Sequence, residues 1–243
     1  MKKTFKTLLL ILLLILGILA EAAFLYTNDS YTASDRAINL VEDGRDGVRI
    51  VEDFGKSIQF IPEKGADCAL IFYPGAKVDY IAYSTLMEKL AQKGILCVLV
   101  HMPGNLAVLD KNAAERYRDL YPEIEDWYIG GHSLGGVCAA SCLKENADSY
   151  KGLILLAAYS DTDLSKEAIR TLSIYGNRDQ ILNKEKYEEY KQNLPNLSEA
   201  IIDGGNHSQF GDYGDQKSDG EAGIRRLVQM ETTAQWIADF VHA

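Results

Sequence analysis

Hydrophobic residues along this chain come in short blocks. From Cys68 onward, "CALIFYPG", "GILCVLVHMPG", "WYIGGHS", "GLILLAAYS", "TLSIYGNRD" and "SEAIIDGGNH" are near-continuous apolar runs that each close on Gly, Ser, Asp or a neighbouring polar residue. Such runs predict strands buried on both faces of a sheet. Between them lie segments with helical character. "DYIAYSTLMEKLAQKG" carries an apolar stripe and a terminal glycine, and "LDKNAAERYRDLYP" is stopped by Pro122. "LGGVCAASCLKENA", "NKEKYEEYKQNLP" and the closing "ETTAQWIADFVHA" complete the set. Upstream, "VRIVEDFGKSIQFIP" alternates on both sides of "DFGKS" and predicts a β-hairpin. Strands alternating with helices at this spacing imply an α/β fold, a doubly wound and mostly parallel sheet with an N-terminal hairpin. Ligands of such sheets bind beyond the carboxyl ends of the strands.

The N-terminus breaks the pattern. "MKKTFK" is basic, and "TLLLILLLILGILA" is then apolar to Ala20. A basic start before an apolar run is the pattern of export. From Leu8 to Tyr26 the stretch approaches the ~20 residues that cross ~30 Å of hydrocarbon, which predicts a membrane anchor. Ala20-Glu21-Ala22 offers the alternative, a signal peptide cleaved near Ala22. Either way the basic residues stay inside, and the remainder is expected on the extracytoplasmic side of the cell membrane or secreted. The expected organisation is an anchor or signal at residues 1–26, a polar connector at 27–46 and a catalytic domain at 47–243.

Composition narrows the partners. The 243 residues carry a net charge of −10, which argues against nucleic acid, because phosphate binding needs clustered Lys and Arg. There is no C-x-x-C and no Cys/His cluster with metal spacing, so neither metal nor cofactor is expected. The cysteines read as small buried thiols or as one long-range disulfide. Cys138 and Cys142, one helical turn apart, are poorly placed to pair with each other.

Candidate chemistry centres on Gly131-His132-Ser133-Leu134-Gly135, a G-x-S-x-G pattern directly after a strand and directly before a helix. In that context Ser133 is a candidate nucleophile on a sharp turn. A serine hydroxyl needs a base within hydrogen-bond reach. Of the four histidines, His207 follows the last strand in a glycine-rich loop and is the best placed. His101 reads as a wall residue, His132 as directed away from Ser133, and His242 as solvated. The acid belongs between serine and base in chain order, after a strand. Asp179 fits, and Asp161 is the alternative. Two backbone amides are needed for an oxyanion: Leu134, after the nucleophile, and Ala76, after Gly75 in "IFYPGAKVDY".

Together "YPGAKVD", "MPGNLAV", "IGGHSLGG", "IYGNRD" and "GGNHSQFGDYG" resemble the α/β-hydrolase fold superfamily, over roughly Ile50 to Ala243. The likeness is to its compact branch related to dienelactone hydrolases, seen in membrane-anchored proteins of Gram-positive bacteria. It implies a triad of Ser133, Asp179 and His207. One departure is Pro74-Gly75, where many relatives have His-Gly, and this leaves the placing of the second oxyanion donor open. The short connection between the runs ending at Ser160 and starting near Thr171 implies no large cap domain. That suits a small or polar acyl substrate, with the loop after His207 as a partial lid. The expected activity is that of a serine hydrolase cleaving an ester or related acyl bond. The alternatives are an acyltransferase with the same triad and a non-catalytic binding protein on the same fold.

Overall fold

The antiparallel pair β1 (Val48–Asp53) and β2 (Ser57–Pro62) opens the sheet as the expected hairpin. The computed structural model describes residues 2–243, apart from the side chains at 2–4, 19–20, 22–25 and 27–28. The later apolar runs form β3 (Cys68–Tyr73), β4 (Ile95–Val100), β5 (Asp126–His132), β6 (Gly152–Leu156), β7 (Arg170–Gly176) and β8 (Leu197–Ile202). The strands make one sheet of eight in the order β1-β2-β4-β3-β5-β6-β7-β8. β2 joins β4 antiparallel, and every pair from β4 to β8 is parallel.

The unbroken apolar runs follow from two cores. Along β3, Leu70 and Phe72 face one core with Leu86, Leu90, Met230 and Ile237. Ala69, Ile71 and Tyr73 face the other, with Ala139, Ala140, Leu143 and Ala114. A central strand covered on both faces has no position to give to a polar side chain, so strand periodicity disappears from its sequence.

Helices α1 (Lys2–Asn28), α2 (Asp35–Asp43), α3 (Ser84–Gln92), α4 (Leu134–Glu145), α5 (Lys184–Tyr190) and α6 (Arg226–Val241) complete the fold. The first core lies under α3 and α6, the second under α4. α2 falls within the polar stretch 27–46. Ser34 caps it by accepting from Ala37 N, Gly44 ends it at φ 73°, and Ala37 is buried.

Two features depart from the sequence reading. The stretch from Leu109 to Pro122, expected as a helix, is a chain of 3₁₀ turns at Ala107–Leu109, Ala113–Arg116 and Arg118–Leu120. Tyr73 Oη accepts from Ala114 N at 2.8 Å, a tertiary bond in place of a helical one. At the N-terminus, the side chains of Leu8–Leu16 and Ile18 stand exposed along α1. Among the described residues no helix is long and apolar enough to cross a membrane. Part of the expected anchor, at 19–20 and 22–25, lies outside the described side chains.

All four cysteines are buried thiols. Residues 157–169 connect β6 to β7 without a helix or strand, so no large cap covers the carboxyl edge.

Candidate active site

Ser133 stands between β5 and α4 with φ 52° and ψ −125°, a left-handed setting that costs a non-glycine residue about 1–3 kcal/mol. The surroundings enforce it. Ser133 N donates to Leu156 O at 2.9 Å, and a Cβ on Gly135 would run into the carbonyl oxygens of Tyr73 and Pro74. Helical bonding begins with Gly136 N on Ser133 O at 3.0 Å. Leu134 and Gly135 therefore occupy the amide end of α4, where the helix dipole is positive.

His207 lies beyond β8 and Asp179 beyond β7, both buried. His207 Nδ1 is 2.9 Å from Asp179 Oδ2. The other carboxylate oxygen, Asp179 Oδ1, accepts from Ile181 N and Leu182 N, each at 2.8 Å. With Nδ1 engaged by the carboxylate, Nε2 is the ring atom left to exchange a proton. Ser133, Leu134 and His207 line one cavity of about 220 Å³ with Val137, Ala157, Ala158, Tyr159, Ile181, Leu182 and Asn183.

Other sequence candidates do not line this cavity. Asp161 is exposed on the loop after β6. His101 Nδ1 meets Gly55 O at 3.0 Å, and its ring lies 4.6 Å from that of Tyr80, so it borders the hairpin turn and not this cavity. His242 is exposed, with Nε2 at 3.2 Å from Lys93 O. Ala76 is half-buried on the turn after β3 and is not among the residues lining the cavity.

His132 is buried one residue before Ser133, with its ring 4.4 Å from that of His207. Its Nδ1 is 2.8 Å from Tyr83 Oη, which also accepts from Gly75 N at 3.0 Å. Burial, and then the charge that His207 would carry, hold the His132 ring far below the usual histidine range, so it stays neutral. Tyr83 thereby joins the Gly75–Ala76 turn to the Ser133 turn. Sequence reasoning missed it because a tyrosine on an apolar helical stripe reads as core.

The base loop has further support. Gln229 on α6 grips Asn206 twice, accepting from Asn206 N at 3.0 Å and donating to Asn206 O at 2.8 Å. The segment after His207, expected as a partial lid, is tied down. Asp212 N donates to Ala82 O at 2.7 Å, Lys217 N to Tyr31 Oη at 3.1 Å and Gly223 N to Gly204 O at 2.7 Å. Arg226 donates to Ser208 O at 2.8 Å and Gly211 O at 2.6 Å. The segment forms a strap bonded to the β3–α3 connection, Tyr31 and α6. Among the described residues no cluster of three or more His, Cys, Asp or Glu is arranged to hold a metal ion.

Comparison with known structures finds the same architecture. A predicted CIB-like hydrolase from Thermoplasma acidophilum aligns with a TM-score of 0.57 at 14% identity, over 79% of this chain and 97% of that one. Est1E from Butyrivibrio proteoclasticus aligns with a TM-score of 0.57 at 15% identity, over 82% of this chain and 100% of that one. The same protein with ferulic acid bound gives a TM-score of 0.59 at 14% identity, over 82% and 98%. Among proteins with curated descriptions, none matches the sequence. The family described as the alpha/beta hydrolase family matches residues 69–231, from β3 into α6. With that match over most of the chain, and the sheet and strand-to-helix turn in place, the protein belongs to the alpha/beta hydrolase family.

Proposed function

We propose that the protein is a serine hydrolase acting on an ester or related acyl bond of a small or polar substrate. The observation that carries this reading is the buried Asp179–His207 pair, 2.9 Å apart, beside the cavity that His207 shares with the strained Ser133. Family membership and esterase neighbours support hydrolysis.

In the proposed reaction, His207 Nε2 takes the proton of Ser133 Oγ as the oxygen attacks the acyl carbon. Asp179 fixes the ring and stabilises the imidazolium. The tetrahedral oxygen is held by the Leu134 amide at the start of α4, and the second donor is assigned to Ala76 on the β3 turn, whose Tyr73 and Pro74 carbonyls pack against Gly135. His207 then returns its proton to the leaving group. It next activates a water that releases the acyl group from Ser133.

Cavity size supports the substrate class. A cleft of about 220 Å³ supports a small acyl group over a large one. Its walls are apolar at Val137, Ala158, Ile181 and Leu182, with Asn183 as a polar contact. Membrane attachment belongs to the same proposal, supported by the exposed apolar side chains between Phe5 and Ile18 on α1.

The test is labelling of the full chain by a fluorophosphonate probe. Wild type is expected to label and Ser133→Ala not to. Equal labelling of both would remove Ser133 as nucleophile. A panel of esters of graded acyl length is expected to show turnover falling as the chain outgrows the cavity.

A further inference from the structure

Asp219 lies on the strap, with neither Asp179 nor His207 near it in sequence, yet its carboxylate touches both their loops. Asp219 Oδ1 accepts from Gln180 N at 3.4 Å, His207 N at 3.3 Å and Gly220 N at 2.8 Å. Asp219 Oδ2 accepts from Ser208 N at 2.8 Å. Gln180 directly follows Asp179, and Ser208 directly follows His207. One carboxyl group thus spans the acid loop and the base loop through main-chain amides, most closely at Ser208 N. Gly220 completes the junction. Its carbonyl accepts from Asn206 Nδ2 at 2.8 Å, and a Cβ there would collide with Arg178 O.

We propose that Asp219 is a positioning residue for the Asp179–His207 pair, an inference that rests on the serine-hydrolase reading. It does not line the cavity, so it acts through the backbone of residues 180 and 207–208. Fixing those peptides sets the tilt of the His207 ring toward Ser133 and the seat of the Asp179 carboxylate. Most cavity walls, Leu134, Val137 and Ala157–Tyr159, belong to other segments, and only Ile181–Asn183 follow the clamped Gln180. Loosening the clamp therefore slows chemistry more than it weakens substrate binding. A misplacement of about 1 Å remote from the reacting atoms is enough to cost ~10²-fold in rate.

The experiment compares Asp219→Asn, Asp219→Ala and the exposed neighbour variant Glu221→Gln in the full chain, with thermal melts to establish folding. Asn keeps one accepting oxygen and turns the other into a donor facing an amide, and Ala removes both. The expected result is a kcat lowered about 10-fold in Asp219→Asn and about 100-fold in Asp219→Ala, with KM within about twofold and Glu221→Gln like wild type. The low-field proton resonance of the Asp179–His207 hydrogen bond is expected to shift or broaden in both Asp219 variants only. A kcat kept within about twofold, a loss confined to KM, or an unmoved resonance overturns the proposal. If Asp219→Ala does not fold, Asp219→Asn decides. If the wild type neither labels nor turns over esters, the hydrolase reading falls. The resonance in Asp219→Asn then still decides the role of Asp219.

Discussion

Asp179 divides its two oxygens between different tasks: Oδ2 faces His207 Nδ1 at 2.9 Å, while Oδ1 accepts from Ile181 N and Leu182 N. This division gives a sharp expectation for Asp179→Asn. The two amides require the Asn oxygen at the Oδ1 position, so the Asn NH₂ must face His207. It donates to Nδ1, turning that atom into an acceptor and moving the ring proton to Nε2, where it blocks the base. We expect kcat to fall about 10⁴-fold with the fold intact. Asp161→Asn, at an exposed position, is expected to change kcat by less than about twofold. A comparable loss in Asp161→Asn would reassign the acid.

Tyr83→Phe is expected to destabilise the protein by about 2–4 kcal/mol, because it strands two buried groups, Gly75 N and His132 Nδ1. Urea unfolding monitored by tryptophan fluorescence measures this. A midpoint matching wild type would mean that neither bond matters to stability.

The buried neutral His132 makes the protein acid-sensitive. Its folded pKa lies below the unfolded value of about 6.5, so the unfolded chain binds the extra proton and stability rises with pH. The cost therefore develops as pH falls below about 6.5, at no more than ~1.4 kcal/mol per pH unit, and levels off below the folded pKa. His132→Gln, which does not titrate there, is expected to lose less stability than wild type between pH 7 and pH 5. Parallel unfolding curves across that range would count against the argument.

Gly135→Ala places a methyl group against the carbonyl oxygens of Tyr73 and Pro74, atoms that cannot swing aside. The expected cost is about 3 kcal/mol or more, with loss of turnover because the strand-to-helix turn must shift. A crystal structure of a fully active Gly135→Ala protein with an unmoved β3 turn would contradict this.

The strands from β3 to β7 were legible because each is buried on two faces and so writes a largely apolar run, while the edge strand β8, exposed at Ser198, Glu199 and Ile201, was marked by its apolar end before the glycines. The Ser133 turn was legible because glycine, serine and a small-residue helix follow a strand in order. Other features depend on partners remote in sequence. Nothing near Ala114 announces that Tyr73 Oη will take its amide, and that bond belongs to a 3₁₀ turn within the stretch that had read as a helix stopped by Pro122. Asp219 looks like any acid in a polar loop until the β7 and β8 ends arrive beside it. The α2 signals were local, Ser34 before Asp35 and Gly44 at the close, but the polar character of the whole stretch masked them. The cavity's size came from the folding together of four separate segments, and no one of them records it.

Tyr31 gives the N-terminal segment a geometric role. Its backbone pairs with the turn after β3, Tyr31 N donating to Lys77 O at 2.7 Å and Asp79 N to Tyr31 O at 2.9 Å. Asp29 adds an ion pair to Lys77 at 2.7 Å. Between the end of α1 at Asn28 and this seam, the chain spans no more than about 11 Å even when fully drawn out. The folded domain is thus on a short leash attached at the turn after β3. In the proposed membrane attachment, the surface that receives α1 lies next to the β3 turn, so substrate reaches the site from beside that turn or from the opposite side.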